Sequence, residues 1–308
     1  MNPARDAFLL AARNRWLAEH LPRFRFVRAT VSRFMPGERM EDAIEAAERL
    51  AVEGIPVTFT YLGENVESAS DADAVVEHYL ELLDLIEERG IDAEVSVKPT
   101  HLGLDLDAEE TFRRLRRLAD RLAEMQKHLF LDMESLPYVD PTLAIYRRLR
   151  QEFDNTGVCI QAYLHRTPQD IADLLAAGAS VRLVKGAYRE PSDVVIRDRR
   201  RIRAVFEKLA LEFLRWSGGG RLALATHDLQ LLTQIERRAA AAGSGRDAYE
   251  IQMLYGIRVA DQRRLAAEGH RVRVLISYGS HWYPWFMRRV AEHPGNLWLA
   301  IRNLLARR

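Results

Sequence analysis

A single cysteine, Cys159, lies in the apolar run GVCI, so no disulfide can staple this chain and its composition suits a reducing compartment. Lysine is almost missing as well. Of 45 basic residues only Lys98, Lys127, Lys185 and Lys208 are lysines; arginine occupies nearly every place where a surface cation would serve. Each retained lysine is therefore a candidate for a specific task. Excess charge is absent too. The net charge of +1 at pH 7 removes any global electrostatic case for nucleic acid or an anionic membrane. No apolar run approaches the roughly 18 residues of a membrane span. The first thirty residues alternate apolar and basic positions and include Asp6 and Glu19. They have neither the continuous apolar stretch of a secretory signal nor the acid-free look of a transit peptide. A cytoplasmic location is expected, with any membrane contact peripheral and at the inner face.

What is present is a hydrophobic share of 48% over 308 residues, enough for a sizeable core. Residues 5–52 carry helical periodicity, and GERMEDAIEAAERLAVEG reads as an amphipathic helix ending at Gly54. The pattern then changes to eight short apolar runs, at 55–63, 92–103, 128–135, 157–164, 180–188, 221–228, 249–256 and 271–279. Amphipathic helical segments separate them. Runs this apolar suit parallel strands covered on both faces. Eight strand–helix units in this order predict an α/β fold, a (β/α)8 TIM-type barrel over 55–308, with a helical N-terminal extension over 1–54. A doubly wound open sheet would need a glycine-rich phosphate loop after a strand, and no GxGxxG occurs.

Barrel sites form at the C-terminal ends of the strands. At or near those ends lie Lys98, Asp132, Glu134, Gln161, Arg182, Lys185-Gly186-Ala187-Tyr188, Thr226-His227-Asp228 and Leu254-Tyr255-Gly256. Each alone could cap a helix or bridge a loop. With Arg288 and Arg289 of the last helical segment they form a mouth with a cationic surplus, suited to an anionic ligand. Arg182 falls in an apolar run, where an unpaired cation would cost several kcal/mol. A Schiff base on Lys98 or Lys185 would leave Arg182, Gln161 and the adjacent pair Arg288-Arg289 without a task. Only His101 and His227 fall at strand ends, so no metal site is expected. RDRRRIR (197–203) could bind phosphates but reads as the start of a solvated helix.

LDMES, VRLVKGAYREP, ATHD, IQMLYGIR and the terminal WYPWFMRRVAEHPGN resemble motifs of the bacterial monofunctional proline dehydrogenase family, from about residue 35 to the end. That resemblance implies a distorted barrel holding FAD non-covalently, oxidation of L-proline to Δ1-pyrroline-5-carboxylate by hydride transfer to flavin N5, and electrons passed to membrane quinone or another acceptor. Carried over residue by residue, it makes Asp132, Arg182 and Lys98 catalytic positions. Lys98, Arg288 and Arg289 match the residues that hold the substrate carboxylate. Tyr188 and Leu254 match walls of the substrate pocket. Met133, Gln161, Arg182, Val184, Lys185, Gly186, Ala187, Thr226 and His227 match FAD contacts. Glu64 matches an acidic partner for a last-helix arginine, a gate over the mouth. Oligomeric state is left open.

The chain departs from the family pattern at Leu275 and Trp285, where proline-specific members have tyrosines, and at Ser277, where a proline is usual. The departures imply either unchanged proline oxidation or a pocket reshaped for another secondary-amine acid, such as hydroxyproline or an N-alkylated amino acid. A flavin-free barrel lyase or amino-acid-binding protein is the remaining alternative.

Overall fold

The structure, a computed structural model, describes residues 31–292 except Ser217, and Ala11, Asn14, Trp16, His20, Val27 and Thr30 before them. Most of the helical reading over 5–30 and the Pro294-Gly295 helix end lie outside the described residues. The elements run α1 (Met40–Val52), β1 (Val57–Tyr61), α2 (Ala69–Glu88), β2 (Ala93–Val97), α3 (Ala108–Glu124), β3 (Leu129–Leu131), α4 (Val139–Glu152), β4 (Thr156–Gln161), α5 (Thr167–Ala176), β5 (Ser180–Val184), α6 (Arg199–Arg215), β6 (Leu222–Ala225), α7 (Leu229–Ala241), β7 (Glu250–Leu254), α8 (Val259–Ala267), β8 (Val272–Tyr278) and α9 (Trp282–Glu292).

The strands pair in parallel in chain order, and β1 against β8 closes the barrel, with Thr58 opposite Leu275 and Thr60 opposite Ser277. Each strand falls on one of the apolar runs, β4 starting one residue before its run, and the sheet is the (β/α)8 barrel expected. The helices start where side chains can satisfy orphan amide groups. Ser68 accepts from Asp71 N at the head of α2, Asp107 from Glu109 N and Glu110 N before α3, and Asp198 from Arg201 N before α6.

The strands are not uniformly apolar. Side chains alternate across a strand, and here one set, such as Val272, Val274 and Ile276 of β8, joins the core under the helices. The other set is strongly polar: Glu94 and Ser96 of β2, Arg182 of β5, Glu250 and Gln252 of β7, and Arg273 of β8 are all buried.

Two features shape the mouth. First, α1 packs outside the barrel against β8 and β1. Second, α9 joins a separate hydrophobic cluster with Val27, Val31, Met35 and Leu62, supplying Trp282, Trp285, Phe286 and Val290. Trp282 Nε1 donates to Glu38 Oε1 at 2.9 Å, and Tyr283 OH to the Ala11 carbonyl at 3.0 Å. Gly256, after β7, has φ +72°, and a Cβ there would sit 1.5 Å from the Arg33 carbonyl oxygen. Only glycine lets this turn come so close to the N-terminal segment.

Candidate active site

A cavity of about 1590 Å³ opens at the C-terminal ends of the strands. Every residue that the resemblance assigns to the site lines it except Glu64; of the other strand-end candidates, Glu134 and Tyr255 do not. At one end α9 presents Trp285, Arg288 and Arg289 to the cavity. These are positions i, i+3 and i+4, which share one helix face. The cavity direction falls between the two arginines, so neighbouring residues about 100° apart can both reach it. Lys98, directly after β2, is buried and donates from Nζ to the Gly63 carbonyl at 3.2 Å.

Glu64 meets Arg288 in a two-pronged ion pair, Nη1 to Oε1 at 3.1 Å and Nη2 to Oε2 at 3.2 Å. Burial pushes the Glu64 carboxyl up, but Arg288 and then Lys98 outweigh it, and its pKa ends below the ordinary value. The Arg288 guanidinium also lies 5.3 Å from the Tyr188 ring centre.

Deeper in the barrel Arg182 is 2% exposed. Its Nη1 donates to Ser96 Oγ at 2.7 Å and Asp132 Oδ1 at 3.1 Å, and its Nε to Gln252 Oε1 at 2.6 Å. Ser96 Oγ in turn donates to Asp132 Oδ1 at 2.7 Å. The guanidinium lies 4.5 Å from the Phe130 ring centre. Its Nη2 is buried with no hydrogen-bond partner. A buried donor left unmatched costs about 1–3 kcal/mol, so this one is suited to a ligand in the cavity.

The opposite stretch is a backbone cradle. Gly186 has φ +106°, and a Cβ there would lie 2.1 Å from the Tyr163 ring. Gln161 donates from Nε2 to the Met133 and Glu134 carbonyls, and its Oε1 is buried without a partner. Lys185 pairs with Asp228 at 2.6 Å; the same aspartate caps α7 by accepting from Leu231 N. His227 Nε2 accepts from Leu254 N at 2.9 Å, tying β6 to β7. Thr226 Oγ1 accepts from Asp228 N at 3.2 Å.

The RDRRRIR stretch is mostly exposed at the head of α6, as read from the sequence. α6 starts at Arg199, and Arg197, Arg199, Arg200 and Arg203 line the cavity mouth, and Arg203 reaches Asp228 at 3.3 Å.

Sequence reading missed Ser96 and Gln252 as partners of Arg182, and Asp228 as the counter-ion of Lys185. Alternation in AEVSVK and YEIQML was the available signal, since it puts Glu94, Ser96 and Lys98 on one side and Glu250 and Gln252 on another.

A closed parallel barrel with a cluster of cations at one end of a large cavity of mixed polar and apolar lining is the frame of a barrel enzyme for a small anionic substrate. A family model described as proline dehydrogenase matches residues 43–297. The chain is 35% identical to proline dehydrogenase 1 of Bacillus subtilis (strain 168) over 301 residues, 98% of this chain and 99% of that one. It is 36% identical to the proline dehydrogenase of Deinococcus radiodurans over 278 residues, 89% of each chain. A crystal structure of proline utilization A (PutA) from Bdellovibrio bacteriovorus, inactivated by N-propargylglycine, superposes with a TM-score of 0.81 at 23% identity. That match covers 94% of this chain and 36% of the PutA chain, and it is a likeness of fold. The chain belongs to the proline dehydrogenase family.

Proposed function

We propose that this chain oxidises L-proline to Δ1-pyrroline-5-carboxylate with non-covalently bound FAD. The observation that carries the reading is the pairing, in one cavity, of a clamp for a carboxylate with a buried guanidinium donor that has no partner. Family membership favours proline over other secondary-amine acids, and over a flavin-free lyase or binding protein. The cavity exceeds the ordinary range for a drug-sized ligand, about 300–1,000 Å³, as a dinucleotide beside an amino acid requires.

The residues fit FAD. The Val184–Ala187 backbone, open at Gly186, would cradle it, with Met133, Gln161, Thr226 and His227 beside it. Arg182 Nη2 would donate to the ring. The arginines at the head of α6 suit its pyrophosphate. Bound there, the flavin supplies the two-electron acceptor for hydride from the substrate carbon.

The chain's own residues do the rest. Arg288 and Arg289 offer planar, permanently charged forks to the two carboxylate oxygens, and Lys98 adds a third cation nearby. Fixing the carboxylate aims the adjacent C–H into the cavity. Leu254, Tyr188, Leu275 and Trp285 wall the ring. Asp132 anchors Arg182 so that its donor does not wander. Glu64 closes the mouth by holding Arg288, and with it α9, across the opening. Electrons pass on to a membrane quinone, from a cytoplasmic protein that meets the membrane peripherally; no helix among the described residues is long and apolar enough to cross one.

The test is direct. The purified protein should absorb at about 450 nm, and L-proline should bleach that band anaerobically more effectively than other amino acids do. A colourless protein, or one whose band proline leaves untouched, removes this reading.

A further inference from the structure

Arg182 is held from below as well as from the side. Gln252 Oε1 accepts from Arg182 Nε at 2.6 Å, and Gln252 Nε2 donates to Glu250 Oε1 at 2.7 Å. A guanidinium can only donate and an ionised carboxylate can only accept. The amide therefore has one orientation, and flipping it would break both bonds.

Glu250 is itself fixed. Arg273 Nε lies 3.1 Å from both of its oxygens, and Arg221 Nη2 lies 3.3 Å from Oε2. Both arginines also reach Glu94. Two carboxylates and two guanidiniums on the barrel floor cancel in charge. Barrel interiors are usually filled with branched apolar side chains. A buried ion cluster is commonly no more stable than such a filling, so stability alone does not call for this one.

We propose that Gln252 is a positioning residue that sets the angle of Arg182, and that the Glu250, Arg273, Arg221 and Glu94 cluster serves to lock the Gln252 amide. Three of the five guanidinium hydrogens are held, and the structure divides the work. Asp132 and Ser96 fix Nη1. Gln252 fixes Nε from β7, two strands away. With both anchored, the planar group cannot rotate, and Nη2, buried and without a partner on a residue that lines the cavity, is held in one place. The inference rests on the flavin reading above.

The decisive variant is Gln252→Met, close in volume and without an acceptor. Its bound-flavin midpoint potential should fall below the parent's, and its anaerobic flavin reduction by L-proline should slow by roughly ten- to a hundredfold. The proline concentration that half-saturates reduction should stay near the parent's, because the clamp is untouched. The exchange Glu250→Gln with Gln252→Glu keeps the charge count and a carboxylate–amide pair, and should recover most of the lost rate, although the carboxylate beside Arg182 keeps the potential low. It decides the matter should Gln252→Met lose its cofactor. A Gln252→Met protein with the parent's potential and rate overturns the inference alone, as does an exchange variant reduced as slowly as Gln252→Met. A parent protein without flavin overturns it together with the functional reading.

Discussion

Removing the Arg288 side chain should strip the clamp and expose a second effect that its partner creates. Arg288 is 8% exposed and holds Glu64 through two bonds of 3.1 and 3.2 Å. Truncating one partner of a buried charge-assisted contact costs about 2–5 kcal/mol, so Arg288→Ala should weaken ligand binding roughly thirtyfold to several-thousandfold. The Glu64 side chain is 27% exposed, which argues for the lower half of that range. Part of the loss is not lost contact. Without Arg288, Glu64 is an anion facing the ligand's carboxylate, with Lys98 as its remaining cation. At about 6 Å and an effective dielectric near 20, two such charges repel by roughly 3 kcal/mol. Glu64→Gln placed on the Arg288→Ala background removes only that repulsion. The expected order of affinity is the parent, then the double variant, then Arg288→Ala. The assay is anaerobic titration of flavin absorbance with a five-membered-ring carboxylic acid that has no amine to oxidise, so binding is read without turnover. A double variant with full parental affinity would show that Arg288 is only a counter-ion for Glu64. Parental affinity in both Arg288→Ala and Arg289→Ala would sink the clamp altogether.

Other perturbations bear on other parts of the site. Arg182→Met should lower the flavin midpoint potential and slow flavin reduction, since a nearby cation favours the electron-rich form; spectroelectrochemistry giving an unchanged potential in a variant that keeps FAD would rule this out. Glu134 is buried and accepts from Thr100 N at 3.1 Å and Thr100 Oγ1 at 2.7 Å. Burial raises its carboxyl from 4.5 to about 7 despite these bonds. A raised carboxyl contributes stability that is complete below about 4.5 and is lost as pH climbs through about 7, about 3 kcal/mol at most. Urea unfolding at pH 5 and pH 8 should therefore show Glu134→Gln gaining on the parent at the higher pH; parallel behaviour would contradict it. Leu275→Tyr combined with Trp285→Tyr should raise the efficiency with L-proline and sharpen discrimination against ring-substituted and N-alkylated analogues, because a site that hydrogen-bonds its ligand discriminates more strongly than an apolar wall. The two positions face one cavity, so their effects should not simply add. A double variant with unchanged kcat/KM across the panel would make the departures drift.

The barrel was legible because its signal is local. Short apolar runs and helical periods repeat eight times, and each strand falls on a run found from the sequence, to within one residue. Residues at the mouth were legible for a related reason, since the ends of those runs are where a barrel exposes side chains. Arg182 could be singled out as needing a partner, but its partners could not be assigned. Ser96, Asp132 and Gln252 come from three other strands, and which of them reach the guanidinium depends on register around a closed sheet. Lys185 shows the same limit. Its pairing with Asp228 joins two successive βα loops, and nothing in either stretch alone distinguishes a helix cap from a counter-ion; here the aspartate is both.

The polar floor was hidden by a different cause. Runs such as YEIQMLYG were read for their apolar content, which argued for strands covered on both faces. Their polar residues fall at every second position, and that period assigns them all to the inside. An outward charge on such a strand would have met the helix layer, where Val274, Ile276 and Leu224 are fully packed. Inward, Glu94, Glu250 and Arg273 find each other within 3.6 Å. The barrel thus carries two cores with opposite chemistry on the two faces of one sheet: an apolar one that holds the helices on, and an ionic one whose upper end reaches Arg182. The first explains why the chain folds as it does. The second costs desolvation that an apolar filling would have avoided, and its continuity from the floor through Gln252 to the unmatched donor at Arg182 Nη2 ties that cost to the chemistry at the mouth.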